Sequence, residues 1–163
     1  MADEAARLSI PRAMFDDMIA HAQEVDPHEC CGLLAGAHGV VSQHYRITNT
    51  VARDARAIAV FEEADVKQLR TLSPSARAEV AYFMDPQEMI AAFKDMRAKN
   101  IELAIIYHSH VHSPAYPSMT DIGLAQYPDA AYTIISLEHP TRPDVQTYWI
   151  REGVAQPTDL SVF

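Results

Sequence analysis

The feature that most constrains the fold is an almost uninterrupted apolar segment, residues 101–107, in which Glu102 is the only charged residue. A strand of this kind is covered on both faces, so it predicts the centre of a sheet with helices packed on its surfaces. Just before it, Asp85 suits a helix N-cap, Pro86 the first turn and Glu88 the third position after the cap. These residues predict a helix that leads directly into a buried strand.

The same pattern of alternating strands and helices is expected along the rest of the chain. The predicted strands are residues 8–10, 30–35, 40–47, 57–61, 80–84, 101–107, 132–137 and 145–150. The predicted helices begin near Pro11, Ala64, Pro86 and Thr120. Strands interleaved with helices make the fold class α/β or α+β, with a single sheet flanked by helices.

Charge and hydropathy exclude several classes of partner. The chain of 163 residues carries 13 Lys and Arg against 22 Asp and Glu, a net charge of −9, and has no basic run. Nucleic acid is therefore not expected as a partner, because its phosphates require a basic patch. No membrane association is expected either, because the apolar runs are far shorter than the roughly 20 residues of a membrane span.

The cysteines and the N-terminal residues indicate the compartment. Cys30 and Cys31 are adjacent, which is a poor geometry for an ordinary disulfide and fits a reducing environment. The first residues are acidic and lack the basic and apolar regions of a secretory signal. We therefore expect a soluble, cytoplasmic protein, and its oligomeric state stays open.

Two histidines at the end of the central strand form a candidate metal site. His108 and His110 are two residues apart, so their side chains leave the same face of the strand. A catalytic zinc ion needs three protein ligands and one open position, and Asp121 can be the third ligand. The alternative is that Ser118 and Asp121 only cap a helix, and that the histidines only form hydrogen bonds.

These residues resemble a known motif. His108-Ser109-His110, seven further residues and then Ser118-Met119-Thr120-Asp121 are similar to the signature His-x-His-x7-Ser-x-x-Asp of the JAMM (MPN+) zinc metallopeptidases. Residues 27–34, Pro-His-Glu-Cys-Cys-Gly-Leu-Leu, look like the early strand of that family. The resemblance covers most of residues 8–149 and points to the bacterial stand-alone members.

The resemblance implies a fold and a set of roles. The fold would be an MPN/JAB domain, similar to cytidine deaminases, spanning residues 1–163 with an insertion around residues 50–77. One catalytic Zn²⁺ would be held by His108, His110 and Asp121. The roles of Glu29 and Ser118 would be catalytic: Glu29 would accept the proton of the attacking water, and Ser118 would donate a hydrogen bond to the oxyanion.

The resemblance also implies a substrate class. The expected reaction is hydrolysis of an amide bond at the Gly-Gly tail of a ubiquitin-like or β-grasp sulfur-carrier protein. A non-catalytic MPN scaffold is the alternative, although such members typically lose the metal ligands, which this chain keeps. Val111 stands where many members have a proline after the second histidine.

Two further alternatives concern the chemistry of the site. His112 would be a fourth ligand if the metal were structural and closed to water. Cys30 or Cys31 would be a nucleophile if its thiol were ionised, but cysteines inside an apolar strand usually pack as small hydrophobic residues. We expect both cysteines to lie in the core.

Overall fold

The computed structural model describes residues 7–63 and 67–163, and these residues form a single mixed sheet with helices on both faces. The strands are β1 (Leu8–Ile10), β2 (Cys31–Ala37), β3 (Val40–Ile47), β4 (Glu102–His110), β5 (Ala131–Ser136), β6 (Asp144–Arg151), β7 (Val154–Thr158) and β8 (Leu160–Val162). The helices are α1 (Arg12–Val25), α2 (Ala55–Glu63), α3 (Pro74–Ala78), α4 (Pro86–Ala98) and α5 (Met119–Leu124), and a 3-10 helix spans Lys67–Thr71. Among these helices, none has the length and apolar character needed to cross a membrane.

The predicted central strand is confirmed as β4. In the strand order β7-β6-β5-β4-β2-β3-β1-β8, it lies between β2, to which it is antiparallel, and β5, to which it is parallel. It continues to His110, so His108 and His110 belong to the strand itself and follow Ile106 on the same face. The register places His108 opposite Cys31 of β2, close to the start of that strand.

The two faces of the sheet bury separate apolar cores. On one face, Met18 and Ala22 of α1 pack with Ile105 and Tyr107 of β4. On the other face, α4 contributes Ala92 and Met96 to a cluster that contains Leu33, Ile106 and Ile134. The expected single sheet flanked by helices is confirmed, and His108 and His110 lie on the face that α4 covers.

Residues 57–61 are helical, so the predicted strand there is wrong. They belong to α2, which buries Ala57 and Phe61 on one side, four residues apart. A short apolar run fits the period of a strand as well as that of a helix. The packing of Ala57 and Phe61 with Leu69 and Ala78 favours the helix. Of the helix predicted from residue 64, residues 64–66 lie outside the described residues and residues 67–71 form the 3-10 helix.

The predicted strand at residues 80–84 is also wrong. This segment has one isolated bridge, between Asn49 and Met84, and is otherwise irregular. The side chain of Asn49 takes the place of a neighbouring strand: its amide nitrogen donates to Ala81 O (3.1 Å) and its oxygen accepts from Phe83 N–H (3.0 Å). The backbone groups are thus satisfied without a ladder.

A chain of hydrogen bonds holds Tyr107 on the α1 face of β4, opposite to the face that carries His108 and His110. The Tyr107 hydroxyl lies 2.7 Å from His21 Nδ1 and 2.8 Å from His44 Nε2. His44 Nδ1 lies 2.8 Å from the Asp17 carboxylate, so that nitrogen carries the proton and Nε2 accepts the Tyr107 hydroxyl. Burial lowers the pKa of both histidines, that of His21 to about 4, so both are neutral at pH 7.

The position of the Tyr107 ring requires a glycine at position 32. The residue lies in β2 beside β4, directly opposite Tyr107. A Cβ atom at Gly32 would overlap the Tyr107 ring. A side chain at this position would therefore displace the ring and the hydrogen bonds of its hydroxyl.

Replacing Tyr107 by Phe should destabilise the fold by about 1–3 kcal/mol, because two buried histidine nitrogens lose their common partner. Urea unfolding measures the change. Tyr45→Phe is the matched control: it removes a hydroxyl that donates to Asp95, whose side chain is 40% exposed and keeps its contact with Lys99. An equal loss in the two variants would contradict the special role of the buried chain.

Candidate metal centre

The loop between β4 and α5 brings Asp121 back to the histidines. It runs over residues 111–118 and is tied to the sheet at three points. Its anchors are His110 Nδ1–H donating to Pro114 O (2.8 Å), Ser136 Oγ–H to Ser113 O (2.6 Å) and Tyr148 O–H to Ala115 O (2.6 Å). Val111, in the position where the motif often has proline, is buried. The loop therefore has a fixed path, and no predicted ligand is displaced.

Ser118 and Asp121 form a capping box at the start of α5. Ser118 Oγ accepts the N–H of Asp121 (3.0 Å), and Asp121 Oδ2 accepts the N–H of Ser118 (2.9 Å). The cap considered as an alternative to a metal site is thus present. The cap does more than begin a helix, because the same Oδ2 atom lies 3.0 Å from His110 Nε2 and 3.2 Å from His108 Nε2.

The three side chains have the donor atoms of a metal site. The two Nε2 atoms of His108 and His110 lie 3.1 Å apart, and one ligand atom from each of the three residues falls within 4.8 Å of the others. Because His110 Nδ1 donates its proton to Pro114 O, Nε2 is the ring nitrogen left to bind a metal ion. His108 Nδ1 is buried and has no partner among the described residues. Two imidazoles and one carboxylate fit a divalent cation such as zinc.

The electrostatics of the cluster favour an ionised carboxylate. Burial alone would raise the pKa of Asp121, but the charges and hydrogen bonds of His108 and His110 outweigh it and hold that pKa well below its usual range. For His110, burial would lower the pKa, and the Asp121 carboxylate outweighs this effect and raises it. The carboxylate therefore stays negative near neutral pH, as a metal ligand requires.

Glu29 lies just before β2 and is only 4% exposed. Its backbone N–H donates to Ala78 O (2.8 Å), and its backbone carbonyl accepts from Asn49 Nδ2 (2.9 Å). Its carboxyl group has no hydrogen-bond partner within the described part of the chain. Burial, and next the negative charge of Asp121, raise the pKa of Glu29 well above its usual value. An unpaired carboxyl of this kind is typical of an acid-base residue.

Two residues beside the cluster were not singled out by the sequence. Tyr82 stacks on His108, with ring centroids 4.7 Å apart and an interplanar angle of 28°. Asn49 uses all four hydrogen-bonding positions of its amide, on Glu29 O, Val51 N–H, Ala81 O and Phe83 N–H. No periodicity reveals such an irregular segment, so no sequence signal pointed to either residue.

The other candidates lie outside the cluster. The side chain of His112 is 67% exposed and lies 3.7 Å from Glu79. Cys30 and Cys31 are buried, and burial raises the pKa of both thiols, that of Cys30 to about 12. Both cysteines thus remain protonated and pack in the core, which is unsuited to a nucleophile.

The sequence profile described as prokaryotic homologs of the JAB domain matches residues 11–151. The chain belongs to this family. The JAB-domain membership confirms the resemblance to the JAMM/MPN metallopeptidases on which the expected fold was based.

Named relatives match this JAB domain over most of their length. The CysO-cysteine peptidase of Mycobacterium tuberculosis is 29% identical over 157 residues, which cover 95% of this chain and 90% of the relative. The desampylase of Haloferax volcanii is 28% identical over 136 residues, 81% of this chain and 82% of the relative.

Solved structures agree with the fold. Protein DSY2949 from Desulfitobacterium hafniense superposes with a TM-score of 0.72 and 28% identity, covering 96% of this chain and 92% of that one. AF2198, a JAB1/MPN domain protein from Archaeoglobus fulgidus, has a TM-score of 0.55 and 15% identity, with 98% and 100% covered. The second likeness, at this low identity, concerns the fold alone.

Zinc should bind the JAB domain at one equivalent and raise its melting temperature. At 100 times the dissociation constant, the expected stabilisation is about 2.7 kcal/mol. His110→Ala should abolish the shift, because a ligand atom is lost, and the exposed His112→Ala should keep it. Thermal unfolding with and without zinc, together with metal analysis, tests this; loss of the shift in His112→Ala would make that residue a ligand.

In the metal-free JAB domain, Glu29→Gln should gain stability over the wild type as the pH rises. The folded pKa of Glu29 lies above the ordinary 4.5, so its favourable contribution is complete below 4.5 and is lost as the pH passes the folded pKa. Glutamine has no charge to bury. Urea unfolding across pH 4–9 measures the gap, and the exposed Glu138→Gln serves as control; a gap independent of pH would contradict the raised pKa.

Proposed function

We propose that the protein is a zinc metallopeptidase or isopeptidase that hydrolyses an amide bond at the C-terminal tail of a ubiquitin-like or sulfur-carrier protein. One observation carries the proposal: donor atoms of His108, His110 and Asp121 converge, and Glu29 has a buried, unpaired carboxyl whose pKa is raised by burial and by the negative charge of Asp121. The names of the relatives, a CysO-cysteine peptidase and a desampylase, support the reaction type and the substrate class.

His108, His110 and Asp121 would hold the zinc ion. Bound there, the ion would supply positive charge to polarise the scissile carbonyl and would lower the pKa of water to about 7. The Pro114 carbonyl keeps His110 in the required tautomer, and the Ser118 N–H keeps the Asp121 carboxylate turned toward the two rings.

Glu29 acts as the general base. Its carboxylate accepts a proton from the attacking water and delivers that proton to the nitrogen of the leaving amine. The efficiency of a general base is highest when its pKa is near the working pH, and burial moves Glu29 in that direction. Asn49 holds the backbone carbonyl of Glu29, so the position of the base depends on a hydrogen bond within the fold.

Ser118 stabilises the oxyanion. Its oxygen already accepts the N–H of Asp121, which leaves the hydroxyl hydrogen free to be donated to the substrate. Ser118 is exposed, whereas His108 is 1% and His110 4% exposed. A substrate therefore approaches from the Ser118 side, and a Gly-Gly tail suits a narrow approach to such buried atoms because glycine has no side chain.

The domain assignment stays a prediction: residues 1–163 form one MPN/JAMM domain in which residues 50–77 are an insertion. A small cluster supports it, in which Val51, Phe61 and Leu69 pack together with Ala78 and Ala81. Because Ala78 and Ala81 lie outside residues 50–77, the insertion packs on the rest of the domain beside the site, and it replaces no strand of the sheet.

A fluorogenic ubiquitin-like protein ending in Gly-Gly, with the dye as the leaving amine, tests the reaction. The zinc-loaded protein should release the dye, and a chelator should stop it reversibly. Glu29→Gln should keep zinc and lose most turnover, His110→Ala should lose both, and Ser118→Ala should be about 10²-fold slower. Undiminished turnover in chelator would remove zinc from the reaction; zinc binding without turnover of any conjugate would favour the non-catalytic scaffold.

A further inference from the structure

An apolar cavity of about 280 Å³ opens beside the metal centre. It lies among α2, the irregular segment 79–84, the start of α4, and α5. Its wall is largely aromatic and aliphatic and includes Phe61, Tyr82, Met89, Leu124, Tyr127 and Tyr132. The proposed insertion helps to form it, because Phe61 belongs to α2.

The size of the cavity argues against a packing defect. Protein interiors contain few voids larger than a water molecule. A dry cavity of about 150 Å³ lined by Leu, Ile and Phe already holds a benzene molecule. A space of about 280 Å³ next to a reactive centre is therefore large enough for an aromatic or a long aliphatic side chain.

The lining determines the chemistry of the occupant. Among the described lining residues, Asp121 is the only charged one, and its carboxylate is turned toward His108 and His110. A charged side chain in the cavity would lose its hydration without finding an ion partner. An aromatic side chain would instead meet several rings, including Tyr82 and Tyr132, in edge or stacked contacts.

The cavity and the metal centre share residues. Tyr82 lines the cavity and stacks on His108, and Asp121 belongs to both sites. A substrate whose scissile bond lies at the donor atoms thus has a neighbouring group within reach of the cavity. In the proposed substrate the two residues on the acyl side are glycines, so the side chain nearest to the scissile bond belongs to the amine side.

We propose that this cavity binds an apolar side chain on the amine side of the scissile bond, so that the amine released is that of an apolar, preferentially aromatic, residue. The inference rests on the proposed function for the position of the scissile bond. It makes Met89 and Leu124 specificity-determining residues, because they line the cavity and have no part in holding metal or moving protons.

Binding of four peptides to the metal-free protein tests the cavity without requiring turnover. The probes are acetyl-Gly-Gly-Phe-amide and its Leu, Gly and Asp analogues, followed by NMR of the Met89 and Leu124 methyl groups. The Phe and Leu peptides should bind at least about 10-fold more tightly than the Gly peptide, and the Asp peptide no more tightly than Gly. Equal affinities for all four would overturn the inference.

Two adjacent variants of α4 provide the matched control. Met89→Trp fills the cavity and should remove the preference for Phe and Leu, whereas Ile90→Trp lies on the outer face, where Ile90 is 55% exposed, and should keep it. If Met89→Trp does not fold, Leu124→Ala enlarges the cavity and should shift the preference toward a Trp peptide. An unchanged preference in the folded cavity variant would overturn the assignment.

Cleavage of the same peptides by the zinc-loaded protein separates the two proposals. The kcat/KM ratio of the Phe to the Gly peptide should be about 10 or more. A binding preference with no cleavage of any peptide or protein conjugate would overturn the proposed function and leave the cavity only as a binding site for an apolar side chain. Cleavage at equal rates, with equal binding, would overturn the cavity and leave the function.

Discussion

The candidate metal centre depends on one oxygen atom, Oδ2 of Asp121. The N–H of Ser118 holds it from the helix side, and the Nε2 atoms of His108 and His110 face it from the strand. A carboxylate in this position links the first turn of a short helix to the end of the central strand. Asp121 therefore connects local helix capping with the chemistry of the site, and the fixed loop between them sets the distance.

The two faces of the central strand β4 have different surroundings. Tyr107 points into a closed chain of neutral histidines, while His108 points toward the opposite core and stacks on Tyr82. Because side chains of a strand alternate, fixing Tyr107 on one face also fixes the register of His108 on the other. The Tyr107 ring also leaves no space for a side chain at Gly32.

Elements with a local or periodic sequence signal could be predicted from the sequence. The capped α4, the buried β4 and the two-residue spacing of His108 and His110 could all be predicted. Residues 57–61 could not, because a short apolar run fits a strand and a helix equally well and only the contacts of Phe61 decide. Glu29 was reached only through family resemblance, since one acid among 22 carries no spacing signal. The edge strand β7 is mostly exposed and contains Pro157, so it had no apolar pattern to find.

The hydrogen bonds of Asn49 couple two neighbouring parts of the site. One amide group joins the peptide that carries Glu29 to the segment that carries Tyr82, and all four of its hydrogen bonds are used. Shifting this wall of the cavity outward would break bonds at Ala81 and Phe83 and would at the same time pull on the peptide of Glu29. The position of Glu29 and the position of the aromatic wall are therefore coupled through one side chain.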